Sequence, residues 1–121
     1  VLTETFYWDL NDRTRAVSQR IVANGTPGGN RPSMGHAGCY SATLHYLKAV
    51  RDMGVTAAKA SGVDVINRMK AMPTDDDAFG QGTIRADGRK LHPAYLFQVK
   101  TPQESRGPWD FYNLLQTTPA E

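Results

Sequence analysis

The 121-residue chain is predicted to have an α/β fold, in the order strand, helix, helix, helix, hairpin. Runs of β-branched and aromatic residues near both ends of the chain are typical of strands. Between them, apolar residues recur every three or four positions, which is typical of helices with one buried face. The length is that of one ordinary domain, but two or three strands are few for three helices. The element count therefore indicates part of an α/β domain.

The first two elements are a strand and a short helix. Val1–Trp8 is predicted to be a strand that leads into a loop. Asn11 or Asp12 is a suitable cap for the helix that follows, which is expected to end near Asn24. Three glycines and two prolines make residues 25–32 a loop.

The most strongly patterned stretch is Met34–Met53, and we expect it to be the central helix of the fold. Ser33 is the predicted N-cap, and Gly54 is suited to end the helix. The predicted buried face consists of Ala37, Tyr40, Leu44, Leu47 and Val50, broadened by Tyr46, Ala49 and Met53.

The second half of the chain is predicted to hold a third helix and a hairpin. The apolar positions of that helix are Val63, Ile66, Met69 and Met72. Pro73 ends it, and residues 73–77 are interpreted as a solvated polar turn. Strands over 79–84 and 92–100 are expected to pair across the Asp87-Gly88 turn. The tail 101–121 is predicted to be a loop with one short regular piece.

No catalytic or cofactor set emerges from the residues. Cys39 lies on the central helix with His36 and His45, but no acidic residue there is placed to orient an imidazole, so we expect a buried thiol. The acidic run 75–77 lacks the spacing of a calcium loop, and the glycine-rich loop lacks the Lys-Ser/Thr ending of a phosphate loop. A net charge of +2 gives no reason to expect a nucleic-acid partner.

Aromatic residues cluster at two places that are typical of ligand clefts. Phe6, Tyr7 and Trp8 follow the first strand, beside Glu4 and Asp9. Aromatic side chains at a strand-to-loop transition often line small-molecule sites, although core or interface packing is the alternative. The same two alternatives apply to the second cluster, which contains Trp109, Phe111 and Tyr112.

Four stretches, spread over nearly the whole chain, carry a family resemblance. They are Thr3–Asp12 with Thr14–Ala16, Ala37–Ala42 with Leu44–Val50, Met72–Asp76 with Phe79–Lys90, and Tyr95–Lys100 with Gly107–Asp110. In this order they resemble bacterial periplasmic substrate-binding proteins of the branched-chain amino-acid type, which serve ATP-binding-cassette importers.

The resemblance implies a partial type I periplasmic-binding-protein fold, namely a fragment of a three-layer αβα lobe. It also implies that residues 1–121 correspond to the C-terminal third of a two-lobed protein. Residues 1–100 would be mostly first-lobe elements, and 101–121 would return toward the second lobe.

The resemblance further implies a periplasmic binding protein rather than an enzyme, with no cofactor and no metal. Such a protein captures a small amino acid, or an aromatic or branched carboxylate, between its lobes and delivers it to a membrane permease. By the same resemblance, ligand-binding residues are expected at Phe6 and Tyr7 in the crossover and at Gly35 and His36 before the central helix. A surface role for His36, and a small standalone α/β domain or enzyme with an aromatic cleft, are the alternatives.

A truncated sheet leaves strand edges and apolar helix faces open, and such edges recruit partners. We therefore also expect the chain to form a homo-oligomer, by domain swapping or by edge pairing.

Overall fold

A computed structural model describes residues 1–120, which form four helices and two antiparallel sheets of three strands each. The helices are α1 Asp12–Ala23, α2 Met34–Met53, α3 Val55–Ala60 and α4 Gly62–Ala71, with a 3-10 turn at Pro27–Gly29. The strands are β1 Leu2–Glu4, β2 Thr74–Asp76, β3 Gly80–Ile84, β4 Lys90–Leu91, β5 Ala94–Val99 and β6 Tyr112–Thr118. The sheet orders are β1-β5-β6 and β2-β3-β4.

Helix α1 begins at a reciprocal cap formed by Asn11, one of the two residues that the sequence offers as caps. The Asn11 side chain accepts a hydrogen bond from the Thr14 N–H at 3.0 Å, and the Thr14 hydroxyl accepts one from the Asn11 N–H at 3.0 Å. Two of the amide groups that a helix start leaves unpaired are thereby satisfied. The prediction of Asn11 as the cap is confirmed.

Helix α2 has the predicted bounds, with Ser33 as the N-cap residue and Gly54 at its end, where φ is +85°. Its predicted buried face is wrong in part, because Leu47 is 54% exposed and Tyr46 is 45% exposed. The buried positions are Ala37, Ser41, His45 and Ala49. This row has a four-residue repeat and mostly small side chains, which lets neighbouring elements approach the helix closely.

The segment after Gly54 contains two helices where one link and one helix were predicted. Short α3 occupies the link, and the Ser61 hydroxyl caps α4 by accepting the Asp64 N–H at 3.2 Å. Val63 is 71% exposed, so its assignment to the buried face is wrong; Val65 is buried in its place. Ile66 is likewise exposed, whereas Met69 and Met72 pack against the buried cluster as expected.

Strand pairing departs from the predicted hairpin. Residues 73–77, interpreted from the sequence as a turn, contain β2, which pairs with β3. The predicted strand 79–84 is confirmed as β3, but its second partner is β4 and not the strand over 92–100. Because Pro93 lacks an N–H, the ladder with β3 cannot continue through it. The chain enters the other sheet as β5.

The first sheet includes part of the tail that was predicted to be mainly loop. Strand β6 has seven residues and pairs antiparallel with β5, with Val99 opposite Tyr112 and Phe97 opposite Leu114. One residue later the register shifts, so that Leu96 lies opposite Gln116 and Leu115 forms a β-bulge. On its other side β5 pairs with β1, where Leu2 lies opposite Phe97.

Two apolar clusters form the core. The first consists of Phe6, Val17, Ala37, Ala78 and Phe79, and the second of Ala49, Ala58 and Val65. The rings of Phe6 and Phe79 meet edge to face with centroids 6.2 Å apart, which joins the loop after β1 to the second sheet. Within the described residues, every helix is too short or too polar to span a bilayer.

Candidate functional site

The loop that follows β1 and the segment that leads into β6 enclose a cleft. Three aromatic residues on each side line it: Phe6, Tyr7 and Trp8 on one, and Trp109, Phe111 and Tyr112 on the other. We call this site the aromatic cleft. Its volume is about 130 Å³, below the roughly 300–1,000 Å³ of typical small-molecule sites. The cleft can therefore enclose only one end of a ligand.

Hydrogen bonds from the aromatic side chains hold the two sides of the cleft together. The Tyr7 hydroxyl donates to the Trp109 carbonyl at 3.2 Å and accepts the Phe111 N–H at 3.1 Å. The Trp8 indole N–H donates to the same Trp109 carbonyl at 2.8 Å. Burial raises the pKa of Tyr7, although the bond from Phe111 opposes the increase. We call these three bonds the Tyr7–Trp109 clasp.

The Tyr7 ring, which takes part in the clasp, packs against aromatic rings of the sheet. The Tyr7 ring lies 4.9 Å from Tyr112 and 5.4 Å from Phe97, centroid to centroid. Phe97 is the most deeply buried aromatic residue of β5, with 1% of its surface exposed. The side of the cleft that contains Tyr7 therefore packs on the sheet β1-β5-β6, and its aromatic rings have little freedom to move.

Two charged residues, Arg31 and Glu4, line the cleft beside the aromatic rings. The Arg31 guanidinium carbon lies 4.9 Å from the centroid of the Trp8 ring, within the range of a cation–π contact. Its Nε is buried without a hydrogen-bond partner. Burial raises the pKa of Glu4. The cleft thus combines apolar surfaces with one cation and one acid.

An ion pair between Lys100 and Asp110 fixes the loop that carries Trp109. Lys100 Nζ lies 2.6 Å from an Asp110 carboxylate oxygen, and the Arg106 N–H donates to the other oxygen at 2.9 Å. The bond from Lys100 lowers the pKa of Asp110. These contacts hold the segment that carries Trp109 in place.

The family model for periplasmic binding proteins matches residues 1–107. The chain belongs to this family. The prediction from the sequence motifs is confirmed, and the family is one of binding proteins rather than enzymes. Comparison with curated proteins gives no significant match.

Two solved structures of this family superpose on the chain. A periplasmic binding protein from Burkholderia mallei is 38% identical, with a TM-score of 0.84 over 99% of this chain and 30% of its own. A branched chain amino acid ABC transporter periplasmic ligand-binding protein from Burkholderia xenovorans LB400 is 36% identical, with a TM-score of 0.79 over 97% of this chain and 29% of its own. The chain therefore spans about 30% of these relatives' length and has the fold of a fragment of a periplasmic binding protein.

The four residues predicted to bind ligand in this periplasmic binding protein do not lie together. Phe6 and Tyr7 line the aromatic cleft. Gly35 and His36 are exposed in the first turn of α2 and lie outside its lining, and His36 Nδ1 accepts the Ser33 N–H at 3.2 Å. Roles for all four residues in binding remain predictions.

Sequence reasoning missed Arg31. It lies in the glycine- and proline-rich loop that was interpreted only as a connector. No periodic pattern marks such a residue, and its contact with Trp8 joins positions 31 and 8, which only the fold brings together. The available signal was an isolated cation just before the N-terminus of the central helix.

Asp76 and Asp77 of the acidic run are structural, so the interpretation as a solvated turn is wrong for these two residues, whereas Asp75 is exposed. Asp76 is buried; it accepts hydrogen bonds from the Ser41 hydroxyl and from the Phe79 N–H at 2.7 Å, and it pairs with Lys90 at 3.2 Å. Asp77 accepts a hydrogen bond from the Tyr40 hydroxyl at 2.6 Å. Among the described residues, no cluster of three His, Cys, Asp or Glu side chains is arranged to hold a metal ion.

Cys39 is exposed on α2, and the expectation of a buried thiol is wrong. Helical geometry explains the difference. Cys39 is two residues from both Ala37 and Ser41, and therefore lies well away from the row that packs against the rest of the fold.

Proposed function

We propose that this chain belongs to a solute-binding component of an ABC importer and contributes one wall of its ligand site. In this role the aromatic cleft receives a small carboxylate, either an amino acid or an aromatic or branched acid, in the periplasm. A membrane permease takes the ligand from the closed protein. Residues 1–100 belong mostly to the first lobe, and 101–121 return toward the second.

The observation that carries the proposal is Arg31 beside the aromatic cleft. A guanidinium offers a planar fork of donors that matches a carboxylate. Its contact with the Trp8 ring holds the cation over an apolar surface, where it is less screened by water than on an open face. A carboxylate that reaches Arg31 would place its apolar part against the aromatic rings.

Glu4 would allow the cleft to bind amino acids as well as simple carboxylates. Its carboxylate shares the cleft with Arg31, so that an α-ammonium group and an α-carboxylate both have a partner of opposite charge. Burial raises the pKa of Glu4, because the ionised carboxylate loses part of its hydration. An ammonium group beside it would favour the ionised form.

Tryptophan fluorescence tests the proposal directly, because both tryptophans of the chain, Trp8 and Trp109, line the cleft. We would titrate the chain with L-leucine, L-phenylalanine and phenylacetate. A saturable change with one of them is expected, and Arg31→Gln should weaken it by at least about tenfold, since charge-assisted bonds contribute about 1.5–3 kcal/mol. Glu4→Gln should weaken binding of the two amino acids but not of phenylacetate.

The matched control is Arg51→Gln, which removes an exposed guanidinium from the last turn of α2, outside the cleft. This variant should bind as the parent chain does. Absence of any saturable change with all three ligands, or an equal loss in both arginine variants, would contradict a carboxylate site at Arg31.

A further inference from the structure

Residues 107–110 form a β-turn that carries the carbonyl group at the centre of the clasp. The Asp110 N–H donates to the Gly107 carbonyl at 3.2 Å, and Pro108 occupies the second position of the turn, for which its fixed φ is suited. The peptide bond between Trp109 and Asp110 is trans and planar, so its C=O and N–H groups point in opposite directions. The turn bonds the N–H and thereby directs the carbonyl toward the donors of the clasp.

The Asp110 side chain fixes the same turn by separate contacts. One carboxylate oxygen lies 2.6 Å from Lys100 Nζ, and the other accepts the Arg106 N–H at 2.9 Å. The Lys100 N–H donates to the Phe111 carbonyl at 2.7 Å, so a backbone bond closes the loop beside the ion pair. Both side chains of the ion pair are mostly covered, with 15% and 16% of their surfaces exposed. The backbone and the side chain of Asp110 therefore hold the peptide group of the clasp at three points.

We propose that Asp110 is a positioning residue of the aromatic cleft. It lies outside the lining of the cleft and acts through the Trp109 carbonyl, which receives both donors of the clasp. Fixing this carbonyl fixes the rings of Tyr7 and Trp8, and a ligand then loses less free energy in ordering them. The effect of Asp110 on ligand affinity rests on the proposed function, whereas its effect on the clasp does not depend on a ligand.

Hydrogen exchange at the Trp8 indole N–H tests the positioning role in the absence of a ligand. The bond to the Trp109 carbonyl protects this proton, and the two indole signals of the chain can be assigned in NMR spectra with a Trp109→Phe variant. Asp110→Asn keeps the size of the side chain and removes its charge, and we expect exchange at Trp8 to become at least about fivefold faster. Backbone amides in the middle of α2 should keep their parental rates.

Lys100→Gln is a second variant, which leaves the carboxylate in place and removes its cation. Exchange at Trp8 should again become faster, but less so than in Asp110→Asn, because the carboxylate keeps its charged hydrogen bond with the loop backbone. Asp87→Asn is the matched control. Asp87 also pairs with an arginine, Arg85, at 2.9 Å and accepts a backbone N–H at 3.1 Å, but it lies in the turn between β3 and β4. This variant should leave exchange at Trp8 unchanged.

The same variants can be compared in the fluorescence titration of the aromatic cleft. Asp110→Asn should raise the dissociation constant of the probe that binds, L-leucine, L-phenylalanine or phenylacetate, at least about threefold. Asp87→Asn should leave this constant unchanged. Faster exchange at Trp8 in Asp110→Asn with an unchanged dissociation constant would overturn the positioning role in ligand binding.

Two results would overturn the inference whether or not a ligand binds. One is unchanged exchange at Trp8 in both Asp110→Asn and Lys100→Gln, and the other is an equal acceleration in Asp87→Asn. Faster exchange in Asp110→Asn, with a parent chain that binds none of the three probes, would support the positioning of the clasp and contradict the proposed function alone.

Discussion

Replacing Asp76 with asparagine should strongly destabilise the fold, because this carboxylate joins α2 to the second sheet. One of its oxygens accepts the Ala78 and Phe79 N–H groups at 3.0 and 2.7 Å. The other receives the Ser41 hydroxyl and the Lys90 ammonium. An asparagine side chain can keep its oxygen on the two amides, but its NH₂ group then faces the Lys90 ammonium.

The substitution therefore mainly removes the ion pair with Lys90 and the hydrogen bond from Ser41 to a charged oxygen. Bonds to charged groups contribute about 1.5–3 kcal/mol each, and Lys90 retains some access to water, with 23% of its side chain exposed. The hydroxyl of Ser41 can reverse its role and accept from the new NH₂ group. We expect Asp76→Asn to lower the free energy of unfolding by about 2–3 kcal/mol.

Urea denaturation followed by circular dichroism measures this quantity, and the neighbouring residue provides the control. Asp75 is exposed, and its side chain makes no hydrogen bond or ion pair with residues 1–120, so Asp75→Asn should change stability by less than about 0.5 kcal/mol. Similar losses in the two variants would refute the conclusion that the fold depends on the buried member of the acidic run.

The same residue predicts a pH dependence. Burial by itself raises the pKa of Asp76, but the bonds from Ser41, Phe79 and Lys90 outweigh it and the net pKa is lowered. A lowered pKa in the folded state means that the unfolded chain binds the proton more readily. The stabilisation is present above the unfolded pKa of about 3.9 and is lost as pH falls through the lower folded value. The parent chain and Asp76→Asn should therefore converge in stability as pH falls below the folded-state pKa.

Three further substitutions test the packing at two glycines and the clasp. Gly82→Ala should destabilise by about 1–3 kcal/mol, because a Cβ there would overlap the Leu91 carbonyl oxygen. Gly38→Ala, with no atom of residues 1–120 crowding the new Cβ on α2, should stabilise by about 0.5–1 kcal/mol, and thermal unfolding compares the two variants. Tyr7→Phe should cost about 1 kcal/mol and should speed hydrogen exchange at the Phe111 amide, which loses its acceptor; unchanged exchange there would contradict the clasp.

Local chemistry made the boundaries of α1 and α2 predictable. The Asn11 cap, the Ser33 start and the Gly54 end of α2 depend on residues within one turn of each boundary, and all three are confirmed. The strand that became β3 follows from its own composition in the same way. Such features require no knowledge of what the element packs against.

The errors concern partners that are distant in sequence. Apolar spacing alone placed Leu47 on the buried face of α2, yet the fold buries the small row that contains Ser41 and His45. His45 makes this possible because one ring nitrogen lies 2.8 Å from the Met69 carbonyl, 24 residues away. The burial of Asp76 similarly requires Lys90 and Ser41 to be nearby. A single sequence contains no local signal for the contact of His45 with Met69 or for those of Asp76 with Lys90 and Ser41.

The aromatic cleft shows how local and distant contributions combine. The two segments that line it flank strands of one sheet, and the clasp between Tyr7 and the Trp109 carbonyl spans 102 positions of sequence. Because the polar tips of Tyr7 and Trp8 are already bonded to the backbone, the proposed role leaves their ring faces, together with Arg31 and Glu4, to meet a ligand. This wall is organised before a ligand arrives, which reduces the entropy lost on binding. If closure accompanies binding, it must therefore move other parts of a two-lobed protein against this wall rather than rearrange the wall itself.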